Sequence, residues 1–217
     1  MKLEGKVAIV TAGGRGIGRG ISLCLAEEGA NVVVNSFHEE TSKKVAEEIK
    51  AMGRNVLAIA GDITKTNVMV KVIEDTINTF GKIDILVNNV GGGRMTSKEA
   101  ANNPLEQAEN EWDETYEQNL KASVLMCKAV QPHFIKQKSG KIINIASVAA
   151  DSASALTSVP YAVMKAGLIR FTQALANELG PYNINANCVC PGIVYTDAWQ
   201  HGAKHRVENT PAYKGMQ

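Results

Sequence analysis

The 217-residue sequence predicts a three-layer α/β fold, a doubly wound parallel sheet with helices on both faces. Three observations carry that expectation. Short runs rich in β-branched residues are apolar throughout rather than alternating, as in strands buried on both faces. Longer stretches with helical spacing separate them. A glycine-rich turn follows the first apolar run directly and opens the first helical stretch.

Val7 to Thr11 reads as the first strand, and Gly16 to Glu28 as a helix stopped by Gly29. Asn31 to Asn35 is a second strand, followed by a helix from Glu39 to Met52 that Gly53 ends. Asn55 to Ala60, Ile83 to Asn88, Lys141 to Ala146 and Ile184 to Cys190 continue the strand series, with helical stretches near 65–80, 105–138 and 159–179. This is the Rossmann-type pattern, in which ligands sit beyond the carboxyl ends of the strands. No internal repeat or linker divides the chain, so residues 1–217 read as one domain.

Composition narrows the partners. Lys plus Arg number 23 and Asp plus Glu 22, a formal charge of +1 that leaves no basic excess for nucleic acid or an anionic membrane. The N-terminus lacks the apolar segment of a secretory signal, and no apolar run reaches the roughly 18 residues of a membrane span. Cys24, Cys127, Cys188 and Cys190 are scattered. Cys188 and Cys190 alternate along a strand and so face the same way, but one Cys-x-Cys without a second ligand pair does not make a zinc site. Reduced thiols of a cytoplasmic protein are the expected reading, with no metal.

Three segments at strand ends have the composition of a nucleotide site. Thr11-Ala12-Gly13-Gly14-Arg15-Gly16-Ile17-Gly18 can turn tightly and bring backbone amides and a helix N-terminus to a pyrophosphate. Asn88-Asn89-Val90-Gly91-Gly92-Gly93 follows the fourth strand, and Pro191-Gly192-Ile193-Val194-Tyr195-Thr196 follows the sixth. Downstream, Tyr161 and Lys165 stand one helical turn apart on one face, with Ser147 fourteen residues before the tyrosine. A phenol beside an ammonium is acid–base machinery for an alcohol or a carbonyl, because the positive charge is expected to lower the phenol's pKa. Each residue also has a structural reading: Ser147 as a cap or turn, Asn119 as a local helix interruption, Lys165 as a solvated cation.

Taken in this order, these segments resemble the short-chain dehydrogenase/reductase family over residues 5 to about 197. Its glycine motif maps onto Thr11 to Gly18, its Asn-Asn-Ala-Gly onto Asn88 to Gly91 and its active-site asparagine onto Asn119. Its catalytic serine, tyrosine and lysine map onto Ser147, Tyr161 and Lys165, and its Pro-Gly turn onto Pro191-Gly192. Within the family the chain looks most like the 3-oxoacyl-carrier-protein reductases, and secondary-alcohol dehydrogenases share nearly all of the same motifs.

The resemblance implies hydride transfer between a nicotinamide cofactor and a small-molecule carbonyl or secondary alcohol. Tyr161 would exchange the proton, Lys165 would support it and bind the cofactor ribose, Ser147 would hold the substrate oxygen, and Asn119 would support a water path to Lys165. The implied cofactor contacts are Thr11, Gly13, Arg15, Gly16, Ile17, Gly18, Ser36, Asp62, Ile63, Asn89, Gly91, Tyr161, Lys165, Pro191, Gly192, Val194 and Thr196. NADP(H) is favoured over NAD(H). The second strand ends in Asn35-Ser36-Phe37-His38 without the acid that would bind a ribose 2′-hydroxyl, and Arg15 can meet a 2′-phosphate. Asp62 matches the family's adenine-contacting aspartate, or alternatively caps the next helix.

The departures also set expectations. Ala12 stands where the family's loop has its first glycine, so the turn is expected to re-form one residue later, at Gly13 and Gly14. Val90 replaces an alanine, and the Ser147–Tyr161 interval is one residue longer than is common. Relatives continue for several dozen residues past Thr196 to a last strand, which this chain is expected to lack, leaving 198–217 as part of a substrate lid. His133, His201 and His205 have no counterpart in the motifs. By the same resemblance, relatives pair their two long helices across a two-fold axis, which implies a homodimer or homotetramer. The alternative reading is a truncated or non-catalytic nucleotide-binding protein of the same fold.

Overall fold

In the computed structural model the described residues are 1–92, 108–151, 158–196 and 200. They form the predicted doubly wound sheet. Strands β1 (Val7–Val10), β2 (Asn31–Ser36), β3 (Val56–Ala60), β4 (Ile85–Asn88), β5 (Gly140–Ile145) and β6 (Ile184–Val189) lie parallel in the order β3-β2-β1-β4-β5-β6. Among the described residues the sheet ends at β6. The expected lid at 198–217, with His201 and His205, lies outside the described residues apart from Gln200.

Helices cover both faces because the strands are apolar on both. Ala8, Val10, Val32 and Val34 point to one side, where α1 (Gly16–Glu27) and α2 (Glu39–Ala51) contribute Ala26, Val45 and Ile49. Ile9, Val33, Leu86 and Ile142 point to the other. There they meet Met69 and Val72 of α3 (Thr66–Phe80), Met126 and Phe134 of α5 (Ala122–Gln137), and Leu175 and Leu179 of α6 (Val159–Leu179). Burying such side chains stabilises by about 1.5–3 kcal/mol each. Chain order reverses between β1 and β4, so the loops after these two strands diverge and leave a crevice.

Two expectations need correction. The stretch near 105–138 is not one regular helix: its described part is α4 (Glu109–Tyr116), a π-helical turn at Glu117–Lys121, and then α5. Asn119 sits in that turn and its amide donates to the Thr115 carbonyl at 3.2 Å and to the Gly92 carbonyl at 3.1 Å, which ties the wider turn to the loop after β4. The glycine loop is likewise not re-formed at Gly13 and Gly14. Ala12 itself takes the left-handed conformation, with φ +49°, and neither of the following glycines has a positive φ. The Gly13 amide donates 2.8 Å to the Asn35 carbonyl, which ties the loop to the end of β2 directly after Ala12.

A left-handed alanine costs roughly 1–2 kcal/mol, partly offset in glycine by its greater freedom when unfolded. Ala12→Gly is therefore expected to raise unfolding stability by about 0.5–1 kcal/mol, read from the midpoint of a urea titration. A lower midpoint would mean that the alanine methyl's packing outweighs the strain.

Candidate active site

The strand ends of β1, β4, β5 and β6 converge on one cavity of about 550 Å³. Its wall carries Arg15, Gly16, Ile17, Gly18, Ser36, Asp62, Ile63, Asn89, Gly91, Ser147, Tyr161, Lys165, Pro191, Gly192 and Thr196 of the residues singled out in the sequence. Thr11, Gly13, Asn119 and Val194 stand outside that wall.

Thr11 is fully buried and works behind the wall. Its hydroxyl oxygen accepts from the backbone amides of Asn89 and Val90, both at 3.0 Å, while the Asn89 side chain donates to the Thr11 and Ala12 carbonyls at 3.2 and 3.1 Å. These bonds lock the loop after β1 to the loop after β4. Gly18 opens the resulting contact: a Cβ there would collide with the Ala12 carbonyl oxygen and the Asn89 amide.

Lys165 defines the other end of the cavity. It projects from α6 toward the sheet, is only 3% exposed, and donates from Nζ to the Ile145 carbonyl at 2.8 Å. It is not a solvated surface cation. A Cβ on Gly91 would stand 2.7 Å from Asn119 Oδ1 and 2.8 Å from Lys165 Nζ, so the missing side chain at φ +152° is the space that lets the three meet. Asn119 also accepts from the Gly92 amide at 3.0 Å. The Tyr161 ring centroid lies 5.6 Å from Lys165 Nζ. Ser147 caps the short 3₁₀ turn Val148–Ala150, accepting from the Ala149 amide at 3.1 Å, and hydrogen-bonds Tyr161.

Burial sets the charges here. It pulls Lys165 down to about 8, against the pull of the neighbouring Cys188 and Cys190. It also pushes the Tyr161 phenol up, opposed by its bond to Ser147. The lysine was expected to lower the phenol, and here desolvation of the ring is the larger effect.

At the far end, the Ser36 hydroxyl donates to Thr41 Oγ1 at 2.6 Å, and Thr41 in turn donates to the His38 carbonyl at 2.8 Å. Asp62 accepts at Oδ1 from the Thr64 amide and hydroxyl at 2.9 and 2.8 Å; it shapes the turn before α3 and does not cap that helix, whose N-cap is Lys65. Phe37, His38, Thr41 and Gln118 line the cavity without having been singled out in the sequence. His38 and Thr41 lie within five residues of the end of β2, and that proximity was the available signal.

With this geometry in place, comparison with known proteins is direct. A family model described as short chain dehydrogenase matches residues 6–206. The chain belongs to that family, whose members are NAD(P)-dependent oxidoreductases acting on CH–OH groups. It is 38% identical to a subunit of (2S)-[(R)-hydroxy(phenyl)methyl]succinyl-CoA dehydrogenase from Thauera aromatica, across 92% of this chain and 77% of that protein. It is 37% identical to the 3-oxoacyl-[acyl-carrier-protein] reductase FabG of Chlamydia pneumoniae, across 90% and 76%. Among solved structures, a 7α-hydroxysteroid dehydrogenase complexed with NADH and 7-oxo glycochenodeoxycholic acid superposes with a TM-score of 0.85 at 32% identity, over 92% of this chain and 75% of that one. The chain thus spans about three quarters of the length of these relatives. No helix among the described residues is long and apolar enough to cross a membrane.

The buried lysine gives a signed stability test. A lysine lowered from its ordinary 10.5 to about 8 destabilises the fold below pH 8, and the penalty fades as the pH rises toward 10.5. Lys165→Met is expected to be more stable than wild type at pH 7 by on the order of 2 kcal/mol, after discounting the lost bond to Ile145. The gap should shrink at pH 10. Equal gaps in urea titrations at the two pH values would refute the buried-charge account.

Proposed function

We propose that the chain transfers hydride between NADP(H) and a carbonyl or secondary alcohol, with Tyr161 as the group that exchanges the proton. The observation that carries this reading is the joining of Ser147, Tyr161 and buried Lys165 at one end of a cavity that begins at a glycine loop and a helix N-terminus. The residues fit a dinucleotide. Gly16 and Gly92 line the cavity, and a Cβ on either would meet no protein atom closer than 3.6 Å, so the backbone there is open to it, and the N-terminus of α1 would receive the pyrophosphate. When bound, a nicotinamide supplies or accepts the hydride.

Ser147 hydrogen-bonds the substrate oxygen and the phenol together, so the proton moves along a preset line. Lys165, its Nζ 5.6 Å from the ring centroid, stabilises the phenolate when it forms. Pro191, Gly192 and Thr196, which line one end of the cavity, would hold the nicotinamide, and Ser36, Asp62 and Ile63 at the other would hold the adenosine. The phosphate-bearing form is favoured because β2 ends in Ser36 and no acid. Glu39, the next candidate, is engaged by Lys43 at 2.7 Å, and Arg15, His38 and Thr41 share the wall. A carboxylate there would repel a 2′-phosphate, whereas a guanidinium binds one.

Tyr161→Phe is expected to lower kcat by about 10²–10⁴-fold with a 3-oxoacyl thioester or a secondary alcohol as probe, while NADPH binding, read by fluorescence, stays within a few-fold of wild type. Near-normal turnover would sink the assignment of the proton donor.

For the cofactor, kcat/KM with NADPH is expected to exceed that with NADH by at least about tenfold, and Arg15→Ala to erase most of that ratio. A preference for NADH in the wild-type protein would overturn the reading.

A further inference from the structure

We propose that Gln118 is a base-reading residue, which recognises the adenine of the dinucleotide through the N6 amino group and the ring nitrogen N7. This role rests on the dinucleotide reading of the cavity and deepens it. Gln118 is exposed, lines the cavity and belongs to none of the motifs that carry the family resemblance. Among the described residues its carboxamide makes no hydrogen bond.

Its neighbours fix the direction in which it points. Asn119, the next residue, turns to the loop after β4, where it bonds the Gly92 amide and carbonyl at 3.0 and 3.1 Å. Leu120 packs on α6: a Cβ built on Gly167 would stand 3.2 Å from Leu120 Cδ2. Residues two apart lie on nearly opposite sides of a helix, so Gln118 faces away from α6. Ala122, about one turn further along the same side, belongs to the buried cluster that holds Ile63 and Val90. The helix it opens, α5, also packs against α3. Gln118 therefore stands over the loop between β3 and α3, whose Gly61, Asp62, Ile63 and Thr64 line the same cavity.

Under the proposed assignment that loop receives the adenosine. Asp62 Oδ1 accepts from both the Thr64 amide and hydroxyl, at 2.9 and 2.8 Å, so one oxygen of this aspartate is committed to its own turn. Gln118 brings a donor and an acceptor side by side in one plane. Adenine carries the complement on one edge, an amino donor at N6 beside the acceptor N7, and a glutamine can bond both at once. Hypoxanthine has a carbonyl oxygen in place of the amino group. Its edge therefore offers two acceptors and leaves the glutamine oxygen facing another oxygen. A carboxamide at this position selects the base, whereas an apolar side chain would only pack against it.

The test measures dissociation constants, by cofactor fluorescence, for NADPH and for its analogue with hypoxanthine in place of adenine. Wild type is expected to bind the adenine form at least about fivefold more tightly. Gln118→Met should cut that preference by about threefold or more, chiefly by weakening the adenine form. Gln118→Glu keeps an acceptor for the amino group and loses the donor, so both forms should weaken while the preference stays at least as large as in wild type. Both replacements suit an exposed helical position. A wild type without preference, an unchanged preference in Gln118→Met, or a preference lost in Gln118→Glu would each overturn the proposal. Failure of the wild type to bind either NADPH or NADH would sink the dinucleotide reading and this role with it, so the two failures are separable.

Discussion

The burial of one ammonium group constrains the whole active-site end of this molecule. Lys165 leaves α6 and crosses toward the sheet to reach the Ile145 carbonyl, surrounded by protein. A charge in that position is tolerated only where polar groups converge on it. The convergence depends on Gly91 having no side chain, on Asn119 being turned inward by a π-helical turn, and on β5 ending where its carbonyl is free to accept. Each of these irregularities would weaken the fold if it stood alone. Together they make a polar pocket in which a lysine can be held beside a phenol.

That pocket needs the parallel sheet to exist. Parallel strands send all their carboxyl ends to one edge, so the loops after β1, β4, β5 and β6 are neighbours although they are far apart in sequence. The reversal of strand order between β1 and β4 separates two of those loops, and the bonds from Thr11 to Asn89 and Val90 fix the width of the gap. A buried polar row continues the same logic inward. Asn88 donates to Asn144 at 2.8 Å and Asn144 to Thr172 at 2.8 Å, so β4, β5 and α6 are tied beneath the site by groups that water does not reach. In a low-dielectric interior such bonds specify one register, since a slip would leave each amide unpaired.

Most of the fold was legible because its signal is local: apolar runs such as Val32-Val33-Val34 need no knowledge of their neighbours to read as buried strands. Strand ends fell within two residues of their observed positions for the same reason. The π-helical turn was not legible, since Asn119 is turned by a partner, Gly92, that only folding brings near. Ala12 shows a similar limit. Its φ of +49° runs against the residue's own preference, and the bond that follows it, from Gly13 to Asn35, ties the loop to a strand that only folding brings near. The candidate catalytic residues were found by motif order, and their proximity in space agrees with that order. The sign of the Tyr161 shift was misjudged because spacing reports the nearby cation but not the loss of water around the ring.

That sign bears on how the pair works. In water a phenol and a lysine ammonium have nearly equal affinities for a proton, about 10 and 10.4. Burial moves them apart, up for Tyr161 and down to about 8 for Lys165, because both shifts disfavour the charged form. The resting site therefore holds a protonated phenol next to an amine that releases its proton easily, which is the state required to donate to a carbonyl oxygen. Oxidation of an alcohol asks for the opposite, a phenolate that burial opposes and that the ammonium beside it and the Ser147 hydrogen bond must stabilise. Under the proposed assignment, one site serves both directions because the same three groups supply both the opposition and the remedy, and the pH decides whether Lys165 carries the charge that tips the balance.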